Sequence, residues 1–248
     1  MNFLRDVGNW FNNPAHWRGE GGIPNRLFEH VQYSVIAIAV AVLLAVPLAV
    51  WLGHRRQFGT AAMNVSNVGR AIPSFAILVL GTQQFGLVEY PIMGSFTTFI
   101  ALVALAVPPL VTNSYVAVAE VADDVRDAAR GMGMTELEVL RKVELPMAAP
   151  LLMAGVRTAA TAVVATATIA AFTGAGGLGR FIIDGRATFV NEEIFAGAVL
   201  VAALSLVTEL GLGAAQRWLT PQGLRVEIGA ARAAAVVSSA TPEGKVRP

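Results

Sequence analysis

Residues 127–146 hold side chains whose charges and spacing could act on another surface. Asp127, Arg130, Glu136, Glu138, Arg141, Lys142 and Glu144 crowd into this stretch of a chain that is 55% hydrophobic and only 14% charged. Thr135, with Glu138 three residues later, has the form of a capping box. Glu138 precedes Lys142 by four residues, the favourable order for a helical ion pair. Ala128, Ala129 and Gly133 are small and would admit another surface close to the backbone. Leu137, Leu140 and Val143 give an apolar edge. Pro146 is expected to end the second helix, because the residue before a proline resists the helical conformation. The pattern therefore predicts two short helices with a break near Gly133. Such a segment can lie at a membrane surface and press on a partner, or it can be an ordinary loop between spans.

Few other residues have types and spacing suited to chemistry. The three histidines, His16, His30 and His54, are scattered and none has a second ligand at metal-binding spacing. Without cysteine there is no disulfide framework, thiolate metal site or cysteine nucleophile. Acids and bases do not converge as an enzyme would need. Gly174, Gly176, Gly177 and Gly179 belong to a G-x-G-x-x-G match, and a dinucleotide fingerprint of that form needs a strand before it and a helix after it. Here the preceding segment has the length of a membrane span. A P-loop Lys-Ser/Thr is also missing, so no nucleotide or cofactor site is expected on this chain. These glycines are expected to let the backbone turn tightly at a helix end.

The elements that must position these residues follow from apolar run length. A span needs roughly 20 apolar residues, and the sequence offers five candidates. They are residues 31–53, 61–81, 94–119, 147–172 and 194–213, so an all-α integral membrane protein is expected. The second is the most polar, with Asn64, Ser66, Asn67 and Arg70 before Pro73 and Ser74. Two readings stay open for it: lining a pathway, or joining helices through polar contacts. Residues 1–30 form an arm with Trp10, Phe11 and Trp17, suited either to the membrane interface or to a loose polar tail. Residues 173–193 read as a loop, and residues 221–248 as a disordered tail. Arg157 is expected to reach the cytoplasmic side, and Glu209 to lie at an interface or pair with Arg217.

Arg55, Arg56, Arg126, Arg130, Arg141, Lys142 and the basic residues of the C-terminal stretch fall on one side of this topology. Only Arg5, Arg18, Arg26, Arg180 and Arg186 fall on the other. Positive residues favour the cytoplasmic side, so the N-terminus is expected outside and the C-terminus inside. Residues 120–146 then lie in the cytoplasm, within a membrane domain of residues 31–220. A net charge of +1 offers nothing to attract nucleic acid.

Residues 127–146 resemble the coupling motif of ABC importer permeases: Glu-Ala-Ala, three residues, Gly, nine residues, then Ile-x-Leu-Pro. Asp127, Ala128, Ala129, Gly133, Val143, Leu145 and Pro146 occupy its positions, with Asp for Glu and Val for Ile and both gaps kept. Residues 27–30, 64–67, 72–74, 128–150 and 154–159 and the glycine loop are similar to permeases of osmoprotectant importers, which carry glycine betaine, choline or carnitine. The glycine loop is shared with methionine-type permeases, so a methionine or other amino-acid importer remains an alternative.

The resemblance implies a type I importer permease fold and a non-catalytic subunit. It implies as partners a pair of ATP-binding subunits, which hold the ATP and magnesium, a second permease subunit, identical or paralogous, and an extracytoplasmic binding protein. It also implies that residues 127–146 transmit the motion of the ATPase. Asn67, Arg70, Pro73, Ser74, Phe75 and Tyr115 are the candidates for the pathway or gate.

Overall fold

A computed structural model describes residues 3–57, 59–60, 64, 76, 78, 80–81, 83, 89–90 and 94–219. Most of the expected second span, with Asn67, Arg70, Pro73, Ser74 and Phe75, lies outside the described residues, as does the expected C-terminal tail. Among the described residues, four helical segments are long and apolar enough to cross a membrane: Ile23–Arg55, Phe96–Ala119, Glu136–Thr173 and Asn191–Leu219.

The chain opens with α1 (Phe3–Asn12) and a short 3-10 turn (Pro14–Trp17), followed by α2 (Ile23–Arg55). A two-residue antiparallel pair, β1 (Glu89–Tyr90) with β2 (Gly94–Ser95), leads into α3 (Phe96–Ala119). Two short helices come next, α4 (Asp123–Gly131) and α5 (Glu136–Val139). A π-turn (Leu140–Glu144) joins α5 to α6 (Leu145–Thr166), which tightens into a 3-10 segment (Ala167–Thr173). The fold closes with α7 (Gly179–Thr188) and α8 (Asn191–Leu219).

Small residues set how closely the long helices pack. Ala37, Ala41, Ala45 and Ala49 recur every fourth residue along α2 and are all buried. That spacing keeps them on one face of a helix. The first three meet Leu102, Ala106 and Leu110 of α3 and Ala159 and Val163 of α6 in the main core. Gly53 and Gly155 extend the same logic. A Cβ on Gly53 would stand 2.7 Å from the Tyr115 carbonyl oxygen, and one on Gly155 would stand 2.7 Å from Asn113 Cβ. Close backbone approach of this kind replaces the hydrophobic drive that helices lose once they are in lipid.

Three expectations need correction. Pro146 does not end its helix. It sits in the first turn of α6, where a helix needs no donor from it, and the widened π-turn before it accommodates the ring. The expected loop at residues 173–193 contains α7, whose Phe181 joins Leu178, Ile23, Ala196 and Trp10 in a second core. Of the two readings open for the N-terminal arm, the loose polar tail is the one that fails, since Trp10 of α1 stacks on His16 and meets Phe181 edge-on.

The Gly155 contact leaves no room for a larger side chain. Gly155→Val is expected to destabilise the protein by about 1–3 kcal/mol through overpacking. Equilibrium unfolding in detergent measures it, and an unchanged midpoint would mean that α3 and α6 can separate freely.

Candidate functional site

The charged stretch is anchored by one buried carboxylate. Glu144 is 0% exposed and lies where the π-turn passes into α6. Its Oε2 accepts from His54 Nδ1 of α2 at 2.7 Å. Arg126 Nε of α4 stands 3.1 Å from its Oε1, an ion pair without the alignment of a hydrogen bond. Arg126 is itself 3% exposed, and its Nη2 donates to the Val118 carbonyl near the end of α3. Burial draws its guanidinium below the usual range, and the Glu144 charge opposes that pull. Glu144 and Arg126 together thus tie the ends of α2, α3, α4 and α6.

Exposed pairs surround this buried centre. Arg56 adopts a left-handed backbone at the end of α2 and reaches Asp123 Oδ1 at 2.6 Å and the Val121 carbonyl at 2.9 Å. The Arg56 guanidinium holds the Asp123 carboxyl below its ordinary value. This contribution is present above the normal carboxylate range and is lost as pH falls through the lowered value. Arg130 bridges Glu136 at 3.0 Å and Asp127 at 3.3 Å, which raises its own affinity for the proton. Thr135 and Glu138 form the expected capping box, and Glu138 pairs with Lys142 at 2.8 Å.

The residues of the motif divide between support and surface. Ala129 and Leu145 face inward, Val143 is half-buried, and Asp127, Ala128 and Pro146 are exposed. Gly133 has φ +85 and open space where a Cβ would stand, so it supplies a left-handed turn between α4 and α5. The apolar edge differs from the expected one. Val139 is fully buried and Leu140 packs against Val50 and Ala148, whereas Leu137 and Met132 face outward. A cleft of about 440 Å³ opens beside them, lined by Trp51, His54, Arg55, Arg130, Glu136 and Leu140.

The glycine loop lies at the other end of α2. Gly174 and Gly177 have φ of +83 and +89. Gly177 N–H donates to Glu29 Oε2 at 2.7 Å, and Leu178 N–H to His30 Nδ1 at 3.3 Å. His30 Nε2 donates in turn to the Val164 carbonyl at 2.8 Å, which makes the imidazole neutral with its proton on Nε2. A Cβ on Gly176 would collide with Glu29, and one on Gly179 with the Thr168 carbonyl. Arg26 and Asn25 hold Glu29 in place. The loop is thus a clasp on Glu29 and His30, and the 24 residues from His30 to His54 put it about 36 Å from the charged cluster along α2.

Tyr115, the one pathway candidate among the described residues, sits near the charged end of α3 with its hydroxyl against Gly59. Glu209 does not pair with Arg217. It meets Arg157 Nε at 3.2 Å, between α6 and α8. Among the described residues no group of three or more His, Cys, Asp or Glu could hold a metal ion.

Residues 37–222 match the family model described as the inner membrane component of binding-protein-dependent transport systems. The chain is 36% identical over 205 residues to the choline transport system permease protein OpuBB of Bacillus subtilis, covering 83% of this chain and 92% of that one. It is 34% identical over 197 residues to the glycine betaine/carnitine/choline permease protein OpuCB of the same organism, covering 79% and 88%. The osmoprotectant import permease protein OsmW of Salmonella typhimurium is 32% identical over 205 residues, with 83% and 95% covered. Among solved structures, an inward-facing MetNI methionine ABC transporter superposes with a TM-score of 0.67 at 20% identity, covering 80% of this chain and 96% of that one.

Removing Glu144 strands a buried guanidinium. Glu144→Ala is expected to cost about 3–5 kcal/mol, read by equilibrium unfolding in detergent. The double variant Glu144→Leu with Arg126→Met is expected to recover most of that loss. A Glu144→Ala protein as stable as the wild type would show that the cluster does not hold the stretch.

Proposed function

The chain belongs to the family of inner membrane components of binding-protein-dependent transport systems, and from that membership we propose that it is the permease subunit of an osmoprotectant importer. The membrane-length helices and the permease relatives place it in the cell membrane as a channel-forming component. Its substrates are quaternary-ammonium solutes of the glycine betaine, choline and carnitine class, the chemistry that the names of several relatives share. Two ATP-binding subunits on the cytoplasmic side supply the work and hold the ATP and magnesium. A second permease subunit completes the pathway, and an external binding protein delivers the solute.

The observation that carries this reading is the construction of residues 120–146. α4, Gly133 and α5 form a ledge whose inner side is locked by Glu144 and whose outer side presents Met132 and Leu137. In the proposed cycle, ATP closes the ATPase dimer, which pushes on this ledge. The displacement passes through Glu144 into α6 and through His54 into α2. The N-terminus and the glycine clasp are extracytoplasmic, in keeping with the distribution of basic residues.

Proteoliposomes with the permease, the ATPase and the binding protein provide the test. Radiolabelled glycine betaine or choline is expected to accumulate only with ATP and the loaded binding protein. Gly133→Leu forces a branched side chain into a left-handed turn on the ledge, so it is expected to abolish uptake while insertion stays normal. Unchanged uptake in that variant would remove the coupling assignment. A cysteine at Glu138 is expected to react only from the cytoplasm and one at Phe189, exposed beyond the clasp, only from outside. The reverse labelling would overturn the orientation.

A further inference from the structure

Arg157 and Glu209 are charged groups set in two spans. Arg157 lies 12 residues past Leu145 on α6, and Glu209 lies 8 residues before Arg217 on α8. At the helical rise of about 1.5 Å per residue these positions are about 18 and 12 Å from the charged end of the bundle. A hydrocarbon layer of about 30 Å puts both near its middle, deeper than the cytoplasmic and interfacial positions expected for them. Arg157 Nε meets Glu209 Oε1 at 3.2 Å, and Thr161 Oγ1 donates to Glu209 Oε2 at 3.0 Å. Glycine at 213 keeps space beside the guanidinium, because a Cβ there would come 3.4 Å from Arg157 Nη1.

The pair is not sealed. The side chains of Arg157 and Glu209 are 34% and 42% exposed, in contrast to the buried Arg126 and Glu144. Open charges at mid-bilayer depth belong against a bundle interior or water, since facing lipid is costly. The same two helices show where their apolar side lies. A groove of about 460 Å³ between α2, α6 and α8 is lined by Val35, Ile38, Val156, Val164, Leu204 and Val207 among others, and neither Arg157 nor Glu209 lines it. The pair, together with the exposed Thr158, occupies the other edge of the α6–α8 contact.

Building on the importer reading above, we propose that Arg157 and Glu209 form a mid-membrane station for a zwitterionic solute bearing a carboxylate and a quaternary ammonium. The ion pair runs through Arg157 Nε, so the two terminal amino groups can take a solute carboxylate in bidentate fashion. A quaternary ammonium has no N–H to donate, and the Glu209 carboxylate attracts it through the field alone, more strongly where water is scarce. The solute brings one charge of each sign. It can therefore enter between the two partners without leaving either charge alone, and the pair recloses when it departs. A cation without a carboxylate can satisfy only Glu209.

Uptake in the reconstituted complex separates a solute station from a helix tie. In wild type, glycine betaine and choline are each supplied on the binding protein, and uptake is followed beside solute-stimulated ATP hydrolysis. Arg157→Gln is expected to lower glycine betaine uptake about tenfold or more, the loss of a charge-assisted bond to the carboxylate. Where wild type also carries choline, Arg157→Gln is expected to spare it, while Glu209→Gln lowers both solutes. Hydrolysis stays near wild type in both variants, and Arg157→Lys retains much of the betaine uptake.

Parallel loss of both solutes and of hydrolysis, or disassembly of the complex in all three variants, would make the pair a structural tie and overturn the proposal. Wild-type uptake of choline without glycine betaine would also overturn it while leaving the importer reading intact. Uptake of neither solute would instead remove the importer reading on which the station rests.

Discussion

The buried carboxylate of Glu144 is the interaction on which the cytoplasmic half of the proposed mechanism depends. An ionised carboxylate away from water is stable only with close counter-charges and donors. Arg126 and His54 provide them from two different helices. The arrangement has a mechanical consequence. Moving α4 away from α2 or α6 would expose a buried charge without its partner, so small relative displacements are strongly resisted. Exposed pairs such as Arg130–Asp127 and Lys142–Glu138 offer little by comparison. They shape the ledge, while Glu144 fixes it.

The opposite end of α2 is built around the Glu29 carboxylate, paired with Arg26 at 2.9 Å, and the neutral imidazole of His30. Glu29 and His30 receive backbone N–H groups from the glycine loop across 148 residues of sequence, and His30 returns a bond to α6 through Val164. Between the two ends, the alanine face of α2 lies directly on α3 and α6. A displacement applied at the ledge therefore has a stiff path to the clasp, since closely packed interiors transmit strain instead of absorbing it. The Arg157–Glu209 pair lies along α6 between those two ends, where movement of α6 against α8 would alter it.

Much of this was legible in the sequence, for physical reasons that differ by element. The long spans follow from apolar run length, and the break at Gly133 and the capping box follow from local rules that need no tertiary context. The motif spacing drew attention to residues 127–146, the stretch that the proposed coupling role uses. It did not mark Glu144, Arg126 or His54, because their partnership joins residues far apart in sequence and each looks like an ordinary interfacial charge. Pro146 misled because a proline signals a stop in a helix interior but is welcome in a first turn. Helix α7 was hidden by the glycines before it and by its mixed polarity. Glu209 invites an interfacial position or a pair with the nearby Arg217, whereas the α6–α8 packing supplies Arg157. Glu29 and His30 stood in a family-like run and the glycines in another. Only the fold shows that the two runs are halves of one clasp.

The account requires α4 and the end of α2 to move as one body while the transporter works. Spin labels on Arg55 and Asp124, both exposed beside the Glu144 cluster, allow that distance to be followed by pulsed electron resonance in the assembled, reconstituted complex. The expected result is the same narrow distance distribution with and without ATP, broadening only when Glu144 is replaced by Gln. A distance that shifts with ATP in the wild type would contradict the account, because the ledge would then slide over the spans instead of driving them.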